Sequence, residues 1–200
     1  MNNLDKMFSS DAAAFSSAYI DYVCRIMKSI DVGDIARFVD TLLDARERGA
    51  SIFFIGNGGS SATASHFVND LTIGTQSYET PFKAFCLSDN QPIVTAVAND
   101  FGYDEIFVRQ MKIYAKPGDV LVGISASGNS KNVVDAFKYA RSIDVKTVAI
   151  TAFDGGMMRE IASEGIHVQT DDKEYGPAED AHMVLDHLVV SYLVRAVGNA

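Results

Sequence analysis

Apolar positions recur at helical spacing through the first quarter of the chain. Phe15, Tyr19, Tyr22, Val23, Ile26 and Met27 follow a Ser-Ser-Asp start and predict a helix over 9–30. Ile35, Phe38, Val39, Leu42 and Leu43 repeat the pattern over 31–48, with Asp31 as cap and Gly49 as stop. The pattern then changes to short apolar runs of strand length: Ile52 to Ile55, Lys83 to Leu87, Val120 to Ile124, Lys146 to Ile150 and Ile166 to Gln169. Helical stretches separate them at 60–73, about 92–98, 105–114 and 132–142, with a short one from Gly155-Gly156 to Ser163. A long helix over 177–197 ends the chain, and Asn99 to Tyr103 reads as a turn.

Strands alternating with helices predict an α/β fold: a three-layer sandwich around a five-stranded parallel sheet, preceded by an N-terminal helical hairpin. No stretch has linker composition, so 1–200 reads as one domain, with leading helices over 9–48, a sheet core over 51–170 and the last helix over 177–197. Ligands on such sheets bind outside the carboxyl ends of the strands. The leading hairpin needs a surface to cover, either its own sheet or another subunit.

Charge narrows the partners. The net charge of -9, with no basic cluster, argues against a nucleic-acid backbone. It leaves small anions open, because amides and hydroxyls can hold them. The longest late apolar run, Leu188 to Val197, is interrupted by Ser191 and Arg195 and is too short for a bilayer, so no membrane partner is expected. The N-terminus lacks the basic-then-apolar pattern of a signal peptide. Cys24 and Cys86 are isolated and read as buried thiols of a reducing compartment, which makes a cytoplasmic protein the expectation.

Two loops carry candidate chemistry. Gly56-Asn-Gly-Gly-Ser60 follows the first strand, where glycines permit a tight turn and Ser60 or Ser61 can cap the next helix. Ser125-Ala-Ser-Gly-Asn-Ser130 follows the third strand and offers three hydroxyls beside a helix start. On parallel strands both loops lie at one edge of the sheet, and together they make a phosphate site without any lysine. His66 and Asp70 are four apart and share one helix face. Glu179, Met183 and His187 also step by four, along a stripe that drifts by roughly 80°. Two histidines and two carboxylates suit either a zinc-type site or an acid–base pair. His182 does not share the face of His187 and reads as a second-tier site candidate, with a partner contact as the alternative, while His167 reads as structural.

With these pieces in place, the chain resembles the sugar isomerase (SIS) domain family and, within it, the phosphoheptose isomerases. The matching residues are Gly56 to Ser60, His66-Phe67, Asn99 to Gly102, Gly118 to Ser130, Asp154-Gly-Gly156 and the histidines of the last helix. The resemblance implies a flavodoxin- or Rossmann-like sheet and conversion of sedoheptulose 7-phosphate to D-glycero-D-manno-heptose 7-phosphate through an enediolate. It implies Asp70 and His187 as the proton-transfer pair, and His66, Asp70, Glu179 and His187 around one zinc ion. Substrate contacts are expected from Asn57, Gly58, Ser60, Asn99, Asp100, Ser125, Ala126, Ser127, Ser130 and Glu179. It further implies a homotetramer with sites between subunits. Asp70 stands where the family has Glu, Glu179 where it has Gln, and Thr63 and Gly176 where typical members carry Asp; the arginine shortly after the first site helix is absent. The alternative is a non-catalytic SIS module that binds a sugar phosphate or a partner protein.

Overall fold

The structure is a computed structural model that describes residues 2–198. Three helices lead: α1 (Asn3–Met7), α2 (Ala12–Ser29) and α3 (Val32–Arg48). The alternating part runs β1 (Ser51–Gly56), α4 (Gly58–Asn69), β2 (Lys83–Cys86), α5 (Gln91–Phe101), α6 (Val108–Tyr114), β3 (Val120–Ser125), α7 (Lys131–Ser142), β4 (Lys146–Thr151), α8 (Gly156–Ile161) and β5 (Glu164–His167). The last helix is α9 (Tyr175–Val197). All five strands are parallel, in the order β2-β1-β3-β4-β5. That order reverses between β1 and β3, and the crevice at such a reversal is where open α/β sheets take their ligands.

Side-chain alternation divides the core in two. Ile52 and Phe54 of β1, with Val120, Val122, Val148 and Ile150, bury under α2, α3, α4 and α9. Phe53, Ile55, Leu121 and Ala149 face the other way, onto Phe107, Met111, Val133, Phe137 and Met158. Strands buried on both faces explain why these runs are continuously apolar rather than alternating.

The expected caps of α3 form: the Asp31 side chain accepts from the Gly33 amide, and Gly49 closes the helix at φ 65°. The leading hairpin covers its own chain, α3 lying over β1 and β5 and α2 along α9.

Several expectations need correction. Asn99 and Asp100 are not in a turn, because α5 continues to Phe101 and stops at Gly102, whose φ is 97°. Ser60 and Ser61 do not cap α4; Asn57 occupies that position in extended conformation, and its side chain is spent elsewhere. β5 begins at Glu164, where the main chain of β4 sets the register. Cys24 is exposed and Cys86 half-buried, both with free thiols; burial pushes the Cys86 thiol up to about 12. α1 carried no periodic signal, being held by contacts remote in sequence.

Those contacts centre on Glu174, which is fully buried just before α9. Its carboxylate accepts from the amides of Asn3 (2.6 Å), Leu4 (3.3 Å) and Asp171 (3.0 Å) and from the Tyr22 hydroxyl. Asn3 and Leu4 are the first-turn amides of α1, so a carboxylate there satisfies orphan donors of the helix start. Burial pushes the Glu174 carboxyl upward, but the four hydrogen bonds outweigh it and hold the group below its ordinary 4.5. A depressed carboxyl contributes stability that is full above the unfolded value and lost as pH falls through the folded one. Glu174→Gln is therefore expected to lower unfolding stability near neutral pH by about 2 kcal/mol and to flatten the loss of stability below the unfolded value. Urea unfolding across the acid range reads both.

Candidate active site

β1 and β3 are hydrogen-bonded neighbours, with Gly56 opposite Ile124, so the two candidate loops leave the same edge side by side. They are tied together by a reciprocal amide pair. Asn57 Nδ2 donates to Asn132 Oδ1 and Asn132 Nδ2 donates to Asn57 Oδ1, both at 2.9 Å. The Tyr103 hydroxyl also donates to Asn57 Oδ1, at 2.9 Å. The Asn57 side chain is thus committed to clamping the loops. Asn132 and Tyr103 escaped sequence reading, since nothing local marks a partner so far along the chain.

The serine loop is rigidly built. Gly128 has φ 63°, and a side chain there would place its Cβ 1.9 Å from the carbonyl oxygen of Gly155. The Met158 amide donates to the Gly128 carbonyl (2.9 Å) and the Met157 amide to Asn129 Oδ1 (3.0 Å), so the start of α8 holds the loop from outside. Ser125 Oγ accepts from the Gly128 amide (3.2 Å) and lies 3.4 Å from Ser130 Oγ. Ser127 Oγ accepts from the Asn129 amide (3.3 Å). Ser130 stands at the N-cap of α7 without a capping bond from its side chain. Ser125 and Ala126 are buried, Ser127 and Ser130 half-buried. Ser60 is buried in the first turn of α4, and Gly58 is exposed at its start.

Histidines and carboxylates collect where α4 meets α9. His66 Nε2 lies 3.2 Å from His187 Nε2, 3.4 Å from Asp70 Oδ2 and 3.9 Å from Asp186 Oδ2. One donor atom from each of these four residues falls within 4.8 Å of all the others. His187 is exposed, His66 and Asp70 half-buried, and Asp186 fully buried. The first 70s residues leave α-geometry: Asp70–Gly74 form a π-turn. A cleft of about 340 Å³ opens beside the cluster, lined by Asp70, Gly74, His187 and Arg195.

The chemistry of this donor set fits a divalent metal. Bonds of about 2.0–2.2 Å to a tetrahedral ion imply ligand separations of roughly 3.3–3.6 Å; His187 at 3.2 Å and Asp70 at 3.4 Å from His66 lie close to that, and Asp186 at 3.9 Å lies beyond it. Two imidazole nitrogens facing each other at 3.2 Å also share at most one proton between them or direct both lone pairs at a cation. Burial and then the Asp70 charge push the Asp186 carboxyl up to about 7.

Glu179 does not join the cluster. It lies eight residues before His187, about 12 Å along the helix, with its carboxylate pressed against Gly59. Burial, then Asp180, raise its carboxyl. Asn99 and Asp100 sit on the exposed last turn of α5 and bond to each other at 2.8 Å. His182 is not a surface contact: it is wholly buried, and burial holds its imidazole down to about 4. Neither ring nitrogen makes a well-formed hydrogen bond, although the Thr151 main chain lies near. His167 Nδ1 is 3.2 Å from Thr151 Oγ1.

Known proteins share this plan. The SIS domain profile matches residues 18–152. The probable phosphoheptose isomerase of Thermoplasma acidophilum is 36% identical over 88% of this chain and 95% of its own. The phosphoheptose isomerase of Akkermansia muciniphila is 39% identical over 82% of this chain and 86% of its own. Among solved structures, the phosphoheptose isomerase of Neisseria gonorrhoeae superposes with a TM-score of 0.79 at 28% identity, covering 90% of this chain and 95% of that one. The loops at the β1/β3 reversal, the family profile and these relatives agree: the chain belongs to the SIS domain family.

Proposed function

We propose that the protein is an aldose–ketose isomerase of sugar phosphates that converts sedoheptulose 7-phosphate to D-glycero-D-manno-heptose 7-phosphate. The observation that carries this reading is the convergence of His66, Asp70 and His187 on one point at the seam of α4 and α9. The name shared by the relatives supports the heptose substrate.

In this reading the phosphate is held by the hydroxyls of Ser60, Ser125, Ser127 and Ser130 and by first-turn amides of α4 and α7. The seven steps from Gly59 to His66 span about 10 Å of helix, a reach suited to an extended seven-carbon chain. Gly58, Ala126 and Glu179 line its path. Asn57 contributes by clamping the loops, and Asn99 and Asp100 belong to the reading only as outer contacts.

The carboxylate of Asp70 removes a proton from C1 of the ketose. The C1–C2 double bond forms as the C2 carbonyl oxygen takes negative charge, and His187 stabilises or protonates that oxygen. His187 takes the O1 proton, the Asp70 carboxyl returns its proton to C2, and C1 becomes the aldehyde carbon. Alternatively, His66, Asp70 and His187 would hold a divalent ion, zinc in this reading, and Asp70 then serves as a ligand and gives up the role of free base. Such an ion supplies Lewis-acid stabilisation of charge on oxygen.

A homotetramer in the cytoplasm completes the proposal. Its support is an apolar stripe on α9, Val184, Leu188 and Tyr192, which runs exposed beside Val32 of α3. No helix among the described residues is long and apolar enough to cross a membrane.

Two results are expected. His187→Ala and Asp70→Asn each lower kcat on sedoheptulose 7-phosphate by about 10²- to 10⁴-fold, with the oligomer intact by light scattering. Turnover at the wild-type rate in either variant would overturn the assignment, and binding without any turnover in the wild type would favour the non-catalytic module. Ser127→Ala raises KM by about tenfold or more through the loss of one charge-assisted hydrogen bond, and leaves kcat little changed. Gly128→Ala, whose Cβ meets the Gly155 carbonyl, weakens inorganic phosphate binding further, read by calorimetry.

A further inference from the structure

Asp186 poses a problem that the isomerase reading leaves unsolved. Its side chain has no solvent exposure, and neither carboxylate oxygen has a hydrogen-bond partner among the described residues. Buried polar atoms are nearly always paired, and an unpaired buried carboxylate is among the least tolerated groups in a protein interior. The carboxylate is aimed into the seam where His66, Asp70 and His187 already converge.

No protein group in the seam can satisfy it alone. His66 Nε2 faces three neighbours at once: His187 at 3.2 Å, Asp70 at 3.4 Å and Asp186 at 3.9 Å. A ring nitrogen carries one proton at most, so it can serve one of the three. A cation among the four donors satisfies all of them. The donors come in pairs, His66 and Asp70 from α4 and the π-turn that follows it, and Asp186 and His187 from α9. Neighbouring residues on a helix point about 100° apart, so Asp186 approaches from the protein interior and His187 from the solvent side.

Within the chain, Glu179 lies apart from these donors. Its carboxylate rests against Gly59, at the other end of the paired helices. We propose that Asp186, and not Glu179, is the second carboxylate ligand of a divalent metal held by His66, Asp70 and His187. Two imidazoles and two carboxylates without sulfur select zinc, cobalt, manganese or iron(II) over copper(I). Glu179 is then free to face the sugar beside the phosphate loops. This assignment rests on the metal-binding part of the isomerase reading and sharpens it.

The test reads metal binding in the absence of sugar. Full-length protein is stripped with EDTA and titrated with zinc by calorimetry. Wild type is expected to bind one ion per chain. Asp186→Asn weakens that binding by at least about tenfold, while Glu179→Ala stays within about twofold of wild type. Thermal unfolding adds a crossed sign. Without metal, Asp186→Asn unfolds at a higher temperature than wild type, because an uncompensated buried carboxylate is gone. Added zinc raises the wild-type midpoint and leaves the variant unmoved. Should Asp186→Asn fail to fold, the zinc K-edge spectrum of loaded Glu179→Ala decides, since its first shell must match wild type. Zinc lost in Glu179→Ala but kept in Asp186→Asn, or no zinc bound by wild type, overturns the assignment. The expected zinc profile without heptulose phosphate turnover would instead retain the metal site and reject the isomerase.

Discussion

The seam between α4 and α9 is the contact on which the site depends. Gly59 meets Glu179 at one end, and His66 meets His187 at the other, so the two helices run in the same direction. At the first end the Glu179 carboxylate lies against Gly59, where a Cβ would come 2.2 Å from it and would displace it. Between these ends, Ala64 and Phe67 of α4 and Ala178, Ala181 and Leu185 of α9 are buried without exposed surface. The seam is therefore packed as core, and core packing permits little sliding. Because α4 follows β1 after a single residue, the register of the sheet fixes where the histidines stand relative to the phosphate loops.

A second constraint acts from the opposite side of the crevice. The serine loop has few degrees of freedom, since Gly128 is wedged against Gly155 and the start of α8 bonds to both Gly128 and Asn129. Its hydroxyls can present donors to an anion only while the loop keeps that shape. The Asn57–Asn132 pair transmits the same rigidity to the glycine turn after β1. Preorganised neutral donors of this kind hold a phosphate with little reordering on binding, which suits a protein whose overall charge is strongly negative.

Much of this was legible in the chain because it depends on local pattern. The apolar runs at Ile52, Val120 and Lys146 mark strands buried on two faces, and Asp31 and Gly49 bracket α3 as their chemistry dictates. The convergence of His66, Asp70 and His187 followed from helix spacing joined to family resemblance. Features set by distant contacts were not legible. Asn57 was assigned to the sugar and Ser60 to a cap, whereas Asn132, far along the chain, claims the Asn57 amide. α1 owes its place to Glu174, well over a hundred residues away. Asp186 did leave a signal that went unread. It falls on the buried stripe Ala178, His182, Leu185, Val189 and Leu193 of α9, where a carboxylate has no ordinary structural reason to be.

Asp70, shorter by one methylene than the glutamate that the resemblance implies, stands at an irregular point of the backbone. Asp70 begins the π-turn, at the point where α4 gives up its regular hydrogen-bond ladder. Single π-turns inside helices are rare and concentrate at functional sites, because widening the helix re-aims the side chains beside it. A carboxylate shorter by one methylene must be brought nearer by its own Cα to reach the same point, and Asp70 does reach His66 Nε2, at 3.4 Å. Apolar spacing cannot reveal such a turn, since Phe67 and Leu71 keep an interval of four and are both buried. The site is thus assembled from three distances of different origin: sheet register, helix packing and one irregular turn. Only the first of these leaves a clear trace in the order of the residues.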